Sequence, residues 1–309
     1  MVMGTAAGAS VSTAGGVPGP LADNVRLGIA SMLAAVALMS VMNALSKLLA
    51  DSYPLAEITF FRNLFALLPA AAMLAAGGGV RALRTTHLRG HLWRAVIGLT
   101  SMVLLFWSYR LMPLADAVAV SYAAPLFLTA LSVPLLGERV GPYRWGAVAV
   151  GFLGVLIIVQ PGGGAVAPGA LVALGAAVAY ALAQIAMRQL GRTEAPVTTV
   201  FYFTAIATVL SGLALPWAWI TPTPAGFGLL ALMGLAGGGS QYFITRAYAL
   251  APAAVVSPFG YAGIVWAALF GWLLWGDAPA PHVVAGTAIV IGSGLLILFR
   301  EARRSRPAP

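Results

Sequence analysis

Ten apolar runs, each long enough to cross a bilayer, divide this 309-residue chain almost without remainder. They lie at about 25–50, 55–76, 88–111, 115–136, 143–160, 167–190, 196–217, 225–250, 252–275 and 280–300. A helix crosses the hydrocarbon with about 20 residues. The runs are separated by turn signals such as Asp51-Ser52-Tyr53-Pro54, Met112-Pro113, Gly137-Glu138-Arg139, Pro161-Gly162-Gly163-Gly164 and Thr221-Pro222-Thr223-Pro224. The links are short and leave no room for a soluble domain. The pattern predicts an all-α polytopic membrane protein with ten transmembrane helices. Composition decides against the alternatives: 61% of residues are hydrophobic and 8% charged, where soluble domains run at about 25% charged. A water-soluble fold of this length could not hide so much apolar surface, which excludes a soluble enzyme and a disordered chain. The 36 glycines and 20 prolines are compatible with a bundle in lipid, where close packing and neighbouring polar groups absorb them.

Residues 1–24 are small and polar, with no basic stretch ahead of an apolar core, and read as a disordered tail rather than a signal peptide. Residues 301–309 read as a basic cytoplasmic tail. With the spans numbered one to ten, one set of edges carries Arg26, Arg81, Arg84, Arg89, Arg94, Arg139, Arg144, Arg188, Arg192, Arg246 and the arginines from Arg300 onward. The opposite edges carry only Lys47 and Arg110, and Arg62 lies within span two. Basic residues collect on the cytoplasmic side, so both termini are expected there, in the plasma membrane, which in a bacterium is the inner membrane. This also accounts for the net charge of +9 without a nucleic-acid partner.

The chain repeats itself. At a shift of 139, Leu111–Gln160 falls on Leu250–Phe299 without a gap, matching Pro113 with Pro252, Tyr122 with Tyr261, Gly137 with Gly276 and Pro142 with Pro281. Glu138 meets Asp277, and just upstream Tyr109 meets Tyr248. At a shift of 141, Asn43 meets Gln184 and Lys47 meets Arg188. Residues 25–160 and 167–300 therefore form two repeats of five spans. Five is odd, so the second repeat enters the membrane inverted. Inverted repeats are typical of secondary transporters, which bind substrate near the midplane.

The polar residues inside the spans are candidate site residues, because a charge in hydrocarbon costs about 2.5–3.5 kcal/mol on insertion scales. Arg62 is the clearest case. It reads either as a cavity cation for a substrate carboxylate or phosphate, or as a partner for Glu57 or backbone carbonyls. Glu57 itself is expected to bridge to a neighbouring helix. Span one places Ser40, Asn43 and Lys47 on one face, and span six places Tyr180, Gln184 and Arg188 on one face. Lys47 and Arg188 lie near helix ends and could equally snorkel. Gln241 of span eight, Trp107 of span three and the paired Tyr122 and Tyr261 complete the substrate-binding set. Pro125 and Pro258 are candidate hinges. Tyr109 reads as an interfacial anchor, and Gly234, Gly237 and Gly238 as a close-packing site.

Chemistry is not indicated. With no cysteine, disulfides, thiolate metal sites and Cys nucleophiles are excluded. His87 and His91 stand four apart but among arginines with no acid nearby in sequence, so no metal is assigned. There are no paired intramembrane carboxylates for a magnesium ion and no phosphate-binding loop. No catalytic residue and no cofactor is expected, and the chain does not read as an enzyme.

The segments Leu111-Met-Pro-Leu-Ala-Asp116, Leu136-Gly-Glu-Arg-Val140 and Gly151-Phe-Leu-Gly-Val155 through Gly162 resemble the first EamA domain of the drug/metabolite transporter superfamily. Pro258-Phe-Gly-Tyr261, Trp275-Gly-Asp277 and Gly292-Ser-Gly-Leu295 resemble the second. The resemblance implies a ten-helix carrier with a central cavity between inverted halves. Pro54–Arg62 is similar to the branch containing S-adenosylmethionine, riboflavin and acyl-amine-type carriers. Small multidrug members carry a buried glutamate in their first helix; span one has no acid, so that proton-coupling device does not carry over. The reading is a secondary carrier, exporter or importer, moving a small polar or zwitterionic metabolite by alternating access, as a monomer or homodimer in the lipid bilayer. A channel-like pore and a membrane-embedded enzyme are the alternatives, neither with a sequence feature of its own.

Overall fold

The computed structural model describes residues 24–76, 79–138, 140–160 and 168–304. The expected N-terminal tail, the last residues of the basic tail and the Pro161–Gly164 link lie outside them. Every regular element among the described residues is helical. The first repeat holds α1 (Val25–Ala50), α2 (Leu55–Ala76), α3 (Leu88–Leu111), α4 (Leu114–Ser121), α5 (Ala124–Leu136) and α6 (Pro142–Val159). The second holds α7 (Pro168–Leu190), α8 (Pro196–Gly212), α9 (Pro224–Leu250), α10 (Ala253–Val256), α11 (Ala262–Trp275) and α12 (Pro281–Arg304). Nine helical segments among the described residues are long and apolar enough to cross a membrane, and a tenth is apolar over Pro281–Ile297. These are the ten spans, with α4 and α5 forming span four and α10 and α11 forming span nine.

Local chemistry explains the ends. Asn24 caps α1 by accepting from the Leu27 N–H at 3.1 Å, and Thr223 caps α9 by accepting from the Gly226 N–H at 3.0 Å. The repeated glycines have one job: Gly137 and Gly276 end α5 and α11 with φ of +66° and +72°. Only glycine adopts that backbone freely. The Gly276 N–H returns to the Trp272 carbonyl at 3.0 Å, closing an αL cap, and the Asp277 N–H to that of Gly271 at 3.1 Å. Pro142 and Pro281 then open α6 and α12, where a missing N–H costs nothing.

The two halves interlock by exchange. α1 packs along α9, and its repeat counterpart α7 packs along α3. α2 packs on α9 as α8 packs on α3, and α11 meets α1 as α5 meets α7. Spans two and seven, four and nine, and five and ten pair across the axis. This is the contact pattern of a two-fold that swaps the repeats, which with five spans each means an inverted pair. Glycines allow the closest crossings. A Cβ on Gly154 would stand 2.8 Å from the Gly286 carbonyl, and one on Gly286 would stand 2.6 Å from that of Gly154. Gly234 and Gly238 likewise admit Phe65 and Pro69 of α2.

Spans four and nine are broken where the prolines lie. α4 ends at Ser121 and α5 begins at Ala124, beside Pro125; α10 gives way to a 3-10 turn over Ser257–Tyr261 that contains Pro258.

Candidate functional site

Two ion pairs join the halves at opposite ends of the bundle. At the end away from the N-terminus, Lys47 of α1 stands 3.7 Å from Asp277, donates to the Met112 carbonyl at 3.0 Å and lies over the Trp275 ring at 5.1 Å. At the N-terminal end, Arg188 of α7 stands 3.5 Å from Glu138. The repeat maps Lys47 onto Arg188 and Glu138 onto Asp277, so these are one contact built twice. Both cations therefore turn toward an acid of the other half.

The two ends differ in closure. Tyr109 is 1% exposed, packed with Leu49, Ala50, Tyr53, Phe106 and Leu114 in one core cluster. Its counterpart Tyr248 is 48% exposed. The Lys47 side chain is 13% exposed and that of Arg188 46%. Arg110 adds a tie at the closed end, donating to the Tyr53 carbonyl at 2.6 Å and to that of Ala50. Tyr109, expected at the membrane interface, is instead part of this seal.

Between the ends, the Tyr122 and Tyr261 rings meet at 5.3 Å, and the Tyr122 hydroxyl donates to the Gly260 carbonyl at 3.1 Å. A cavity of about 90 Å³ is lined by Pro125, Tyr261, Arg144 and Arg188 among others, which ties the span-four break to the N-terminal ion pair. Tyr180 is half exposed and lies within electrostatic reach of Tyr248 and Arg94. Asn43 is half-buried with a buried Oδ1 that finds no donor. Gln184 and Gln241 are half-buried, and Trp107 is exposed on α3.

Arg62 is buried among α1, α2 and α9. A Cβ on Gly237 would lie 3.2 Å from its Nε and 2.7 Å from the Met42 sulfur. Its Nη1 donates to Asn63 Oδ1 at 3.0 Å, while Nε has no acceptor. Among the described residues no carboxylate pairs with it. Glu57 is occupied elsewhere, its Oε2 accepting from the Ile220 N–H at 3.0 Å in the segment leading to α9. The repeat counterpart of Glu57 is Thr198, which donates to the Ala82 carbonyl at 2.8 Å. The same strap is made once by a carboxylate and once by a hydroxyl, so Glu57 holds the fold.

Two features escaped the sequence. Arg94, placed there at a cytoplasmic edge, is buried inside α3. His87 and His91 do have an acid beside them: Glu194 comes from the link between α7 and α8, with His87 Nδ1 at 3.5 Å from Oε1 and His91 Nε2 at 3.8 Å from Oε2. Thr85 donates to Glu194 at 2.6 Å, and His91 stacks on Tyr202. An open cavity of about 470 Å³ lies against this group, lined by Arg84, Thr86 and Thr193 as well. No metal-holding set exists among the described residues. No local signal could reveal the acid, because Glu194 is more than 100 residues from either histidine.

The comparisons agree with this architecture. The EamA-like transporter family matches residues 26–160 and 167–299. A riboflavin transporter of Rhizobium johnstonii is 34% identical over 82% of this chain and 84% of its own. The pseudopaline exporter CntI of Pseudomonas aeruginosa is 33% identical over 87% of this chain and 95% of its own. An S-adenosylmethionine uptake transporter of Rickettsia prowazekii is 28% identical over 89% and 94%. One solved crystal structure superposes with a TM-score of 0.63 at 21% identity, covering 90% of this chain and 99% of that one, and shows the fold alone. With nearly all of its two repeats matched, the chain belongs to the EamA-like transporter family and is a multi-pass membrane transporter of small molecules.

Proposed function

We propose that this protein is a secondary carrier for a small polar or zwitterionic organic metabolite, working by alternating access. The observation that carries the reading is the duplicated ion pair, Lys47 with Asp277 at one mouth and Arg188 with Glu138 at the other. A pore needs no matched closures at its two ends, whereas a carrier must hold one end shut while the other is open. An exposed pair such as Arg188 with Glu138 is worth about 0–1 kcal/mol, weak enough to break and remake each cycle. Rocking of the inverted halves would exchange the two mouths, with the breaks at Pro125 and Pro258 as hinges. With the N-terminus cytoplasmic, as the basic residues favour, the sealed Tyr109 end faces outward. The state described here is then inward-facing. Arg62, Asn43, Lys47, Tyr122, Tyr180, Gln184, Gln241, Tyr261 and Trp107 are the proposed substrate-contacting set.

The relatives' names include both uptake and export, so they support a metabolite-sized organic cargo without choosing a direction. The test is an untargeted comparison of metabolites inside and outside cells with and without the gene, repeated with Lys47→Asp, Asp277→Lys and the double swap. Loss in each single variant and partial recovery in the double are expected, since the double restores the ion pair but moves the Lys47 cation. Equal activity of all four would remove the ion pair from the mechanism. A metabolite that appears chemically altered would favour an enzyme.

A further inference from the structure

Arg94 is a buried cation that the architecture does not require. It is 8% exposed, six residues into α3, or about 9 Å at 1.5 Å per residue. Its guanidinium lies over the Phe203 ring at 4.3 Å, and Nη2 touches only the Met187 sulfur, at 3.6 Å. Nε and Nη1 are buried with no acceptor. Among the described residues no carboxylate pairs with Arg94.

The repeat shows what this position needs for packing alone. Arg94 maps onto Met233 and Met187 maps onto Ser46. The mate contact is also formed, from the Ser46 hydroxyl to the Met233 sulfur at 3.2 Å. The same interchange holds for Arg62. Its counterpart is Phe203, which lies against Gly98 just as Arg62 lies against Gly237. In each pair the fold accepts an apolar side chain in one half and an unpaired arginine in the other. Two buried guanidinium groups without a counter-anion are costly; the Phe203 ring under Arg94 and the Asn63 oxygen at Arg62 offset part of that cost but supply no negative charge. They stand in equivalent three-helix clusters, Arg62 in α1, α2 and α9 and Arg94 in α3, α7 and α8. Each lies about 10 Å in from opposite ends of the bundle, on a hydrocarbon span of about 30 Å. Arg94 also lies on the more open side, within electrostatic reach of the half-exposed Tyr180.

We infer that Arg94 is a second anion-binding group on the transport path, taking a carboxylate or phosphate of the cargo on the N-terminal side as Arg62 would on the far side. This rests on the carrier reading and narrows it to cargo bearing at least one such anion. A guanidinium offers two parallel N–H groups to either oxyanion, which suits both classes. The two cations would then serve the cargo from opposite ends of the bundle.

The test uses the purified full-length protein in detergent. Unfolding midpoints are measured in sodium phosphate, sodium acetate and sodium chloride at matched ionic strength, and with dioleoylphosphatidate added to the chloride sample. Phosphate or acetate is expected to raise the wild-type midpoint by about 2 °C or more over chloride. Arg94→Met should reduce the rise by half or more, Arg62 being left intact, and the exposed Arg192→Gln should keep it in full. Arg94→Met copies the residue that the fold already holds at the mate position. It should therefore be at least as stable as wild type in chloride, and a lower midpoint there would make Arg94 structural and overturn the inference. No wild-type rise with either anion, an equal rise in Arg94→Met, or a rise given only by the lipid would also overturn it. In cells, the metabolite moved by the wild type should carry a carboxylate or phosphate, and Arg94→Met should reduce its movement roughly ten- to a hundredfold, the cost of losing a charge-assisted hydrogen bond. A neutral or cationic metabolite, or one moved undiminished by Arg94→Met, overturns the inference and leaves the carrier standing. No metabolite moved by the wild type removes both.

Discussion

At the scale of single residues, buried charge is the informative quantity, and the structure sorts it into two kinds. Glu57 has a backbone partner in Ile220, and its counterpart Thr198 has one in Ala82. Removing the acceptor strands the Ile220 N–H. Glu57→Ala should therefore lower stability by about 1–3 kcal/mol, while Glu57→Gln, which keeps an acceptor oxygen, should cost less; thermal unfolding in detergent separates them. Transport by Glu57→Gln should be near wild type. Glu57 and Arg62 both keep one buried atom without a partner, Oε1 and Nε, but the Arg62 bond runs only to its neighbour Asn63, whereas that of Glu57 ties α2 to the segment before α9. Arg62→Ala is expected to abolish transport while the protein inserts at wild-type level, read by uptake beside a membrane-fraction blot. Normal uptake by an inserted variant would remove Arg62 from the path. The sequence could flag Arg62 because seven apolar-run residues precede it. It could not flag Arg94, because a run of arginines from Arg81 onward looks like one continuous cytoplasmic edge. Depth along α3 is set by where that helix packs, which is not a local property.

At the scale of elements, the sequence was legible to within a few residues. Apolar length and punctuation are local, so the ten runs coincide with the helical spans. Repeated Gly, acid and Pro at a shift of 139 became a repeated structure: a left-handed glycine cap, an ion-pair acid and a helix-opening proline. Gly276→Ala forces a side chain onto φ +72° and should cost roughly 1–2 kcal/mol. It should also displace Asp277 and so mimic loss of the Lys47 contact in transport. Gly286→Leu should separate α6 from α12, since its Cβ already falls 2.6 Å from a carbonyl. A loss of about 1–3 kcal/mol is expected from overpacking, with the unfolding midpoint as the readout. The Pro125 and Pro258 breaks followed from chemistry, yet their form did not. Span four simply parts in two, while span nine passes through a 3-10 turn.

At the scale of the whole molecule, the unequal closure of the two ends is a property of neither repeat alone. The chain has no cysteine, so a single introduced thiol reports without background. Tyr248→Cys should react with a maleimide in inside-out vesicles, and Tyr109→Cys should stay protected from a membrane-impermeant maleimide added to whole cells. The opposite pattern would reverse either the orientation or the open end. What the sequence determined by itself was the number of spans, their ends and the register of the repeat, because apolar length, turn residues and helical periodicity all act over a few residues. Only the tertiary structure decided which cations find partners and which remain stranded, that Glu194 reaches two histidines from the other half, and which mouth is shut. Those outcomes depend on helices 50 or more residues apart in sequence meeting face to face, and the same repeated sequence can pack tightly at one end and loosely at the other.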